Sequence, residues 1–229
     1  MRIAGLQPLS LLDFPGRVAA IVFTQGCPLR CVYCHNPELI PTRGMDAGVR
    51  DVLERIGDRR PFLDGVVVTG GEPTIHPDLP EFLASIKALG LETKLDTNGV
   101  NPDMVARVLR DGLADFVAMD VKHVWERYPE VVGRSQPRIA ANCAESMRII
   151  RASGVECEFR TTVYPALHDV DDLMAIADGL ADGDRYALQE VRYGKTLDPD
   201  LPQLGRPDLE AVAERIRAVR PGLRVEVRA

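Results

Sequence analysis

The sequence lacks any apolar run able to cross a bilayer. The longest one near its start, Val18 to Phe23, falls far short of the ~20 residues a spanning helix needs. The first residues lack the charged-then-apolar layout of a secretion signal, so a cytoplasmic location is expected. Positive charge is not in excess: 28 Lys and Arg stand against 34 Asp and Glu, a net charge of -6. That balance argues against nucleic acid or an anionic membrane as the main partner. No internal repeat or low-complexity tract divides the chain. Cysteines number five, an odd count, and three lie within eight residues. In a reducing compartment such clustering favours metal binding over disulfides.

What is present suits one soluble α/β domain over residues 1–229, with an ordinary 45% hydrophobic and 27% charged content. A domain of this size buries its core without disulfide support. Short apolar runs alternate with amphipathic stretches, the pattern of βα units around a parallel sheet. Strands are expected at Val18–Thr24, Gly65–Thr69, Glu92–Asp96, Phe116–Val121, Val155–Val163, Tyr186–Val191 and Arg224–Val227. Helices are expected through Val49 to Ile56, over Asp78–Leu89, after an Asn101 cap with Pro102 at its first position, and through Cys143, Met147 and Ile150 to a stop at Gly154. Two more are expected after Asp171 and after Pro207. This order predicts a partial (β/α)6 barrel of parallel strands, with chemistry at the C-terminal strand ends. The unusual polar motifs do follow the strands.

After the first of those strands the chain reads Gln25-Gly-Cys27-Pro-Leu-Arg-Cys31-Val-Tyr-Cys34-His-Asn-Pro37. Iron–sulfur clusters are held by thiolates, and a cubane has four irons. Three thiolates therefore leave one iron open to a chelating substrate. A structural zinc site is the alternative, but such sites want four ligands, usually as two pairs, and there is no second pair. His35 is a strained fourth ligand, being adjacent to Cys34.

This Cys-x3-Cys-x2-Cys loop, with aromatic Tyr33 before the last cysteine, resembles the defining motif of the radical S-adenosylmethionine (SAM) superfamily. Further segments, Ser10-Leu-Leu-Asp-Phe-Pro-Gly16, Phe23-Thr-Gln-Gly-Cys27 and Cys34-His-Asn-Pro37, are similar to the glycyl-radical-enzyme activases. Within these, the likeness is closest to the activating proteins of anaerobic ribonucleoside-triphosphate reductase, in segments from about Gly5 to Lys195. The resemblance implies that Cys27, Cys31 and Cys34 hold a [4Fe-4S] cluster and that Tyr33 belongs to the cofactor site. It also implies that Gly70, Gly71 and Glu72 meet the amino-acid end of SAM. Asp96 and Asn98 end the third expected strand, and Asp120 and Lys122 the fourth. In the activases, matching aspartates bind the cofactor region or a monovalent cation, and the matching lysine lies near the cofactor carboxylate. Arg160 resembles an arginine that contacts the cofactor. Where related activases place a histidine against the ribose, this chain has Arg192 and Tyr193.

Taken alone, the Gly-Gly pair, the Asn98-Gly99 pair and the Asp120/Lys122 pair read as turns and a surface ion pair. Cys143 and Cys157 read as core residues, and His76, His123 and His168 receive no role. No catalytic side chain is expected beyond the cluster and SAM. The activity implied is reductive cleavage of SAM to a 5′-deoxyadenosyl radical, which then takes a hydrogen atom from a glycine Cα of a partner, an anaerobic ribonucleotide reductase. A one-electron donor such as flavodoxin or ferredoxin is also implied. Two other readings stay open: a radical enzyme of the 7-carboxy-7-deazaguanine synthase kind acting on a small molecule, and a non-enzymatic metal-binding module.

Overall fold

The computed structural model describes residues 1–133 and 138–228. Eight strands form one sheet in sequential order: β1 (Ile3–Ser10), β2 (Ala19–Thr24), β3 (Gly65–Gly70), β4 (Glu92–Thr97), β5 (Phe116–Asp120), β6 (Glu156–Val163), β7 (Arg185–Glu190) and β8 (Arg224–Arg228). From β2 to β8 every neighbouring pair is parallel, while β1 runs antiparallel to β2. Among the described residues no pairing joins β8 to β1, so the barrel is open on one side. The six strands β2 to β7 are the expected partial (β/α)6 barrel, with one strand added at each edge.

Crossovers supply α1 (Val49–Arg59), α2 (Leu79–Ala88), α3 (Pro102–Arg110), a short α4 (Tyr128–Val132), α5 (Arg138–Ser153), α6 (Val170–Asp178) and α7 (Leu209–Val219). Local chemistry sets their ends. Asn101 caps α3 by accepting from the Met104 N–H. Asp169 and Asp172 form a reciprocal capping box on α6, which starts the helix earlier than the expected position after Asp171. No helix among the described residues is long and apolar enough to cross a membrane.

Strand alternation divides the interior in two. Val66, Val68, Leu95, Val117, Met119 and Phe159 face the helices and join the main core with Leu83, Val105, Ile150 and Ile216. The opposite face points into the barrel. One half of that lumen is apolar, built from Phe14, Ala19, Ile21, Val67, Phe116 and Ala118, with Phe14 edge-on to Phe116 at 6.1 Å. The other half, contributed by β4 to β8, is charged.

The sequence reading missed β1 and α4. In β1 only Ile3 and Ser10 are buried, so no period-two signal exists. The five residues of α4 are too few to show a helical period.

Candidate active site

The cysteine loop leaves β2 without regular secondary structure, yet its backbone is pinned on several sides. Gly26 N–H donates to Leu39 O at 2.7 Å, Cys27 N–H to Ile40 O at 3.0 Å and Arg30 N–H to Val132 O at 3.0 Å. The later segment reaches back, with Leu197 N–H donating to Cys34 O at 2.9 Å. The buried Gln25 carboxamide ties the loop exit by donating to Glu38 O (2.9 Å) and Pro41 O (2.7 Å). Burial pushes the Cys27 thiol up to about 12 and also raises Cys31 and Cys34. The three thiols are therefore protonated at neutral pH and release protons when they bind a metal.

Gly70 and Gly71 at the end of β3 are required by protein contacts. A Cβ on Gly70 would lie 2.4 Å from Thr24 N, and one on Gly71 would lie 2.1 Å from Gly26 O. Gly70 also holds φ +111°, outside the range of ordinary side chains. The sequence reading took these glycines as an approach to a ligand. They are in addition an approach of the turn to the cysteine loop, fastened by Glu72 N–H donating to Gly26 O at 2.8 Å.

The Glu72 carboxylate is buried and accepts from Thr74 N (3.1 Å), Thr74 Oγ1 (2.6 Å), Thr97 Oγ1 (2.7 Å) and Asn98 N (2.7 Å). Burial raises its pKa against the pull of these donors. It joins the β3 turn to the β4 turn. Asn98 in turn points its amide at Cys27 Sγ, 3.7 Å away.

The charged half of the lumen meets this region from beneath. Arg160 spans two aspartates, donating through Nη1 to Asp96 Oδ2 (3.2 Å) and through Nε to Asp120 Oδ1 (3.0 Å). Lys122 Nζ donates to Asp120 Oδ2 at 3.1 Å, and Lys94 Nζ lies 3.0 Å from Asp96 Oδ1. Burial alone would raise both carboxylates. The facing cations prevail, so Asp120 is held at about 2 by Lys122 and Arg160, and Asp96 is held below its ordinary value by Arg160 and Lys94. Burial would likewise lower Lys122, but Asp120 holds it well above the ordinary lysine value. Arg160 is no solvated strand charge: its side chain is 13% exposed.

All of these groups line one cavity at the C-terminal mouth of the barrel, about 700 Å³ counted out to its opening. Its wall contains Cys27, Cys31, Cys34, Tyr33, Gly70, Gly71, Glu72, Asp96, Asn98, Asp120, Lys122 and Arg160, every residue the sequence assigned to the site. The sequence reading left out Leu29, Asn36, Thr69, Thr97 and Thr162, and weighed His35 only as a zinc ligand; all six line the cavity. Burial, then the charge of Arg192, lowers the His35 pKa and keeps the ring neutral. Arg192 and Tyr193 are not part of the wall. Tyr193 instead donates to Leu204 O at 3.3 Å.

Two histidines left without a role are structural supports. His123 and His168 are buried and stacked at 5.0 Å. His168 Nδ1 accepts from Tyr164 N–H at 3.1 Å, which leaves Nε2–H to donate to Lys122 O at 2.8 Å. Cys143 is fully buried and donates to Asn98 O at 3.2 Å, consistent with a core residue. Cys157 is half-buried.

The donor set suits an iron–sulfur cluster: three cysteines, the residues whose thiolates hold such clusters, line one cavity. The buried Tyr33 hydroxyl in the same wall has no partner, which suits a polar ligand group. Asp120, Lys122 and Arg160 offer acceptors and donors for a zwitterionic amino acid. A free monovalent cation fits less well, because each oxygen of Asp96 and Asp120 already faces a fixed cationic side chain.

The model of the radical SAM superfamily matches residues 21–178. A protein of Methanocaldococcus jannaschii assigned as a glycyl-radical enzyme activating enzyme is 30% identical over 90% of this chain and 86% of its own length. The pyruvate formate-lyase-activating enzyme of Staphylococcus aureus is 34% identical, covering 93% of each chain. Among solved structures, SuiB of Streptococcus suis bound to S-adenosylmethionine superposes with a TM-score of 0.72 at 15% identity. It covers 91% of this chain, which spans about half (49%) of that larger protein. A radical SAM methyltransferase of Sphaerobacter thermophilus superposes with a TM-score of 0.68 at 17% identity, covering 96% of this chain and 68% of its own. These two share the fold. The family match and the sequence relatives establish that the chain belongs to the radical SAM superfamily, among the glycyl-radical-enzyme activating enzymes.

Proposed function

We propose that this protein cleaves S-adenosylmethionine reductively at a [4Fe-4S] cluster and uses the resulting radical to generate a glycyl radical on a partner enzyme. The observation that carries this is the single cavity in which the three thiols meet the charged ends of β4, β5 and β6. When bound, the cluster and SAM supply one-electron scission of the sulfonium–carbon bond, yielding methionine and a 5′-deoxyadenosyl radical. The chain's own residues do the positioning. Cys27, Cys31 and Cys34 hold the cluster. Lys122 and Arg160 present cations to the SAM carboxylate, and the Gly70-Gly71 turn presents backbone carbonyls to its ammonium. Tyr33, Gly70, Gly71, Glu72, Asp96 and Asn98 complete the wall, with Glu72 and Asn98 also fixing its shape. Leu29 and the buried Tyr33 ring keep one side poor in water.

Among glycyl-radical partners, the sequence motifs favour an anaerobic ribonucleoside-triphosphate reductase. The names of the relatives favour a pyruvate formate-lyase as a second reading. A flavodoxin or ferredoxin is the proposed electron source. The test is anaerobic: reconstitute the cluster, reduce it, add SAM and quantify 5′-deoxyadenosine. Its absence from a fully loaded, reduced protein refutes the proposal. Electron paramagnetic resonance with each candidate partner then decides between them, a glycyl doublet identifying the substrate. Turnover of SAM without a doublet on either would favour a small-molecule substrate.

A further inference from the structure

The charged lumen contains one group whose purpose the proposed reaction does not explain. Lys94 lies in the middle of β4, and its side chain is 3% exposed. The register aligns it with Phe116 on β5 and Val67 on β3, one layer beneath Asp96. Its ammonium donates to Asp13 O at 2.6 Å, stands 3.0 Å from Asp96 Oδ1 and 4.0 Å from Glu158 Oε1, and lies 5.6 Å from the Phe116 ring centroid. Lys94 donates its hydrogen bond to Asp13 O and Asp96 Oδ1 accepts none, so the contact with Asp96 is an ion pair rather than a directed hydrogen bond. A buried ammonium that donates to a carbonyl, stands beside two carboxylates and lies over a ring face is a built position, not an accident of packing.

We infer that Lys94 is a built-in counter-cation, its ammonium standing beside Asp96 in place of the free monovalent cation that the family resemblance led us to expect. The inference rests on reading the cavity as the SAM site. Its basis is the occupancy of the carboxylates. Asp96 Oδ1 faces Lys94 and Oδ2 faces Arg160; Asp120 Oδ1 faces Arg160 and Oδ2 faces Lys122. Four oxygens meet three fixed cations in four contacts. Beneath them Glu158 is paired to Arg228, which also pairs with Glu226. The string is therefore neutral: Lys94, Arg160, Lys122 and Arg228 balance Asp96, Asp120, Glu158 and Glu226. A free ion added at Asp96 would sit against an ammonium in a medium that screens poorly. The tethered ammonium brings the same single charge without loss of a freely diffusing ion's entropy. Lys94 acts through Asp96 and Arg160, so it is a positioning residue.

The experiment uses the cluster-loaded protein in choline chloride, with KCl substituted at constant ionic strength up to about 100 mM. Two quantities are read: the thermal unfolding midpoint and the rate of 5′-deoxyadenosine formation. For the wild-type protein the midpoint is expected to stay within about 2 °C. Its rate is expected to stay within about threefold. A saturable rise in either beyond those limits overturns the inference. Lys94→Met keeps length and loses charge. Its rate in choline is expected to fall by about tenfold or more, and K⁺ is expected to restore it to within about threefold of wild type. Wild-type activity of this variant in choline, or a loss that K⁺ does not repair, also counts against the idea. If Lys94→Met fails to fold, the wild-type salt series decides alone. If no salt gives any cleavage, the SAM reading fails, while the midpoint series still reports whether a cation binds.

Discussion

Replacing Gly71 with alanine tests whether the turn after β3 exists to seat the cysteine loop. The added Cβ would lie 2.1 Å from Gly26 O, 2.7 Å from Gly26 C and 3.0 Å from Leu39 O. All three are backbone atoms, so no side chain can swing aside. Ordinary contact is about 3.5 Å, which requires the two segments to part by about 1.4 Å. Glu72 N–H to Gly26 O, at 2.8 Å, holds them together and must break or stretch. Overpacking costs about 1–3 kcal/mol and the lost bond about 1 kcal/mol, giving about 3 kcal/mol in total. For a chain of this length that lowers the unfolding midpoint by about 9 °C. Gly26 adjoins Cys27, so the first thiol moves by more than the ~0.5 Å that a cofactor constellation tolerates. Iron bound after anaerobic reconstitution should therefore fall well below that of the wild type. Gly57→Ala is the control. Gly57 lies in α1 with Leu89 as its nearest neighbour at 4.0 Å. That variant should gain about 0.5–1 kcal/mol and keep its iron. Wild-type iron content and a midpoint within about 2 °C for Gly71→Ala would refute the reasoning.

Other measurements follow from the site's electrostatics. The rise of Cys27 from 9.0 to about 12 makes its thiolate about a thousandfold scarcer, and allowing for the greater nucleophilicity of a more basic thiolate, iodoacetamide should label Cys27 of the metal-free protein at pH 8 at least about thirtyfold more slowly than an exposed cysteine. Peptide mass spectrometry reads this, and labelling at the exposed rate would contradict it. Asp120 titrates at about 2 in the fold against an ordinary 3.8, so the stability it contributes is present above that ordinary value and is lost as pH falls through the folded one. Asp120→Asn should flatten the acid limb of the stability–pH curve, and an unchanged limb would show the linkage to be wrong. Arg160→Met leaves Asp96 and Asp120 short of their shared cation and should cost about 3–5 kcal/mol in urea unfolding. A loss below about 1 kcal/mol would mean that Lys94 and Lys122 suffice.

The parallel strands were readable because each is a short, near-continuous apolar run bounded by turn residues, such as Gly65-Val-Val-Val68. Helix ends were readable where one residue sets them, as at Asn101. The cysteine triad was readable because its ligands share one loop. The linkage of Lys94, Glu158 and Arg228 was not, because Lys94–Glu158 and Glu158–Arg228 join different strands that only the folded sheet brings together. Period-two alternation puts Glu158 on the same face of β6 as Arg160, and Lys94 on the same face of β4 as Asp96. What the sequence could not supply was that this face is enclosed. His168 shows the same limit: it supports Lys122 from 46 residues away through a single bond to a carbonyl.

The cysteine loop is held by bonds to Leu39, Ile40, Val132 and Leu197, none of which involves a thiol. Small zinc modules differ, since the metal there supplies the folding energy and its removal unfolds the chain. Here the socket stands independently of what it carries. If oxygen strips a cluster from this loop, the backbone bonds that shape it remain, and iron and sulfide returned under reducing conditions are expected to refill it without refolding of the chain.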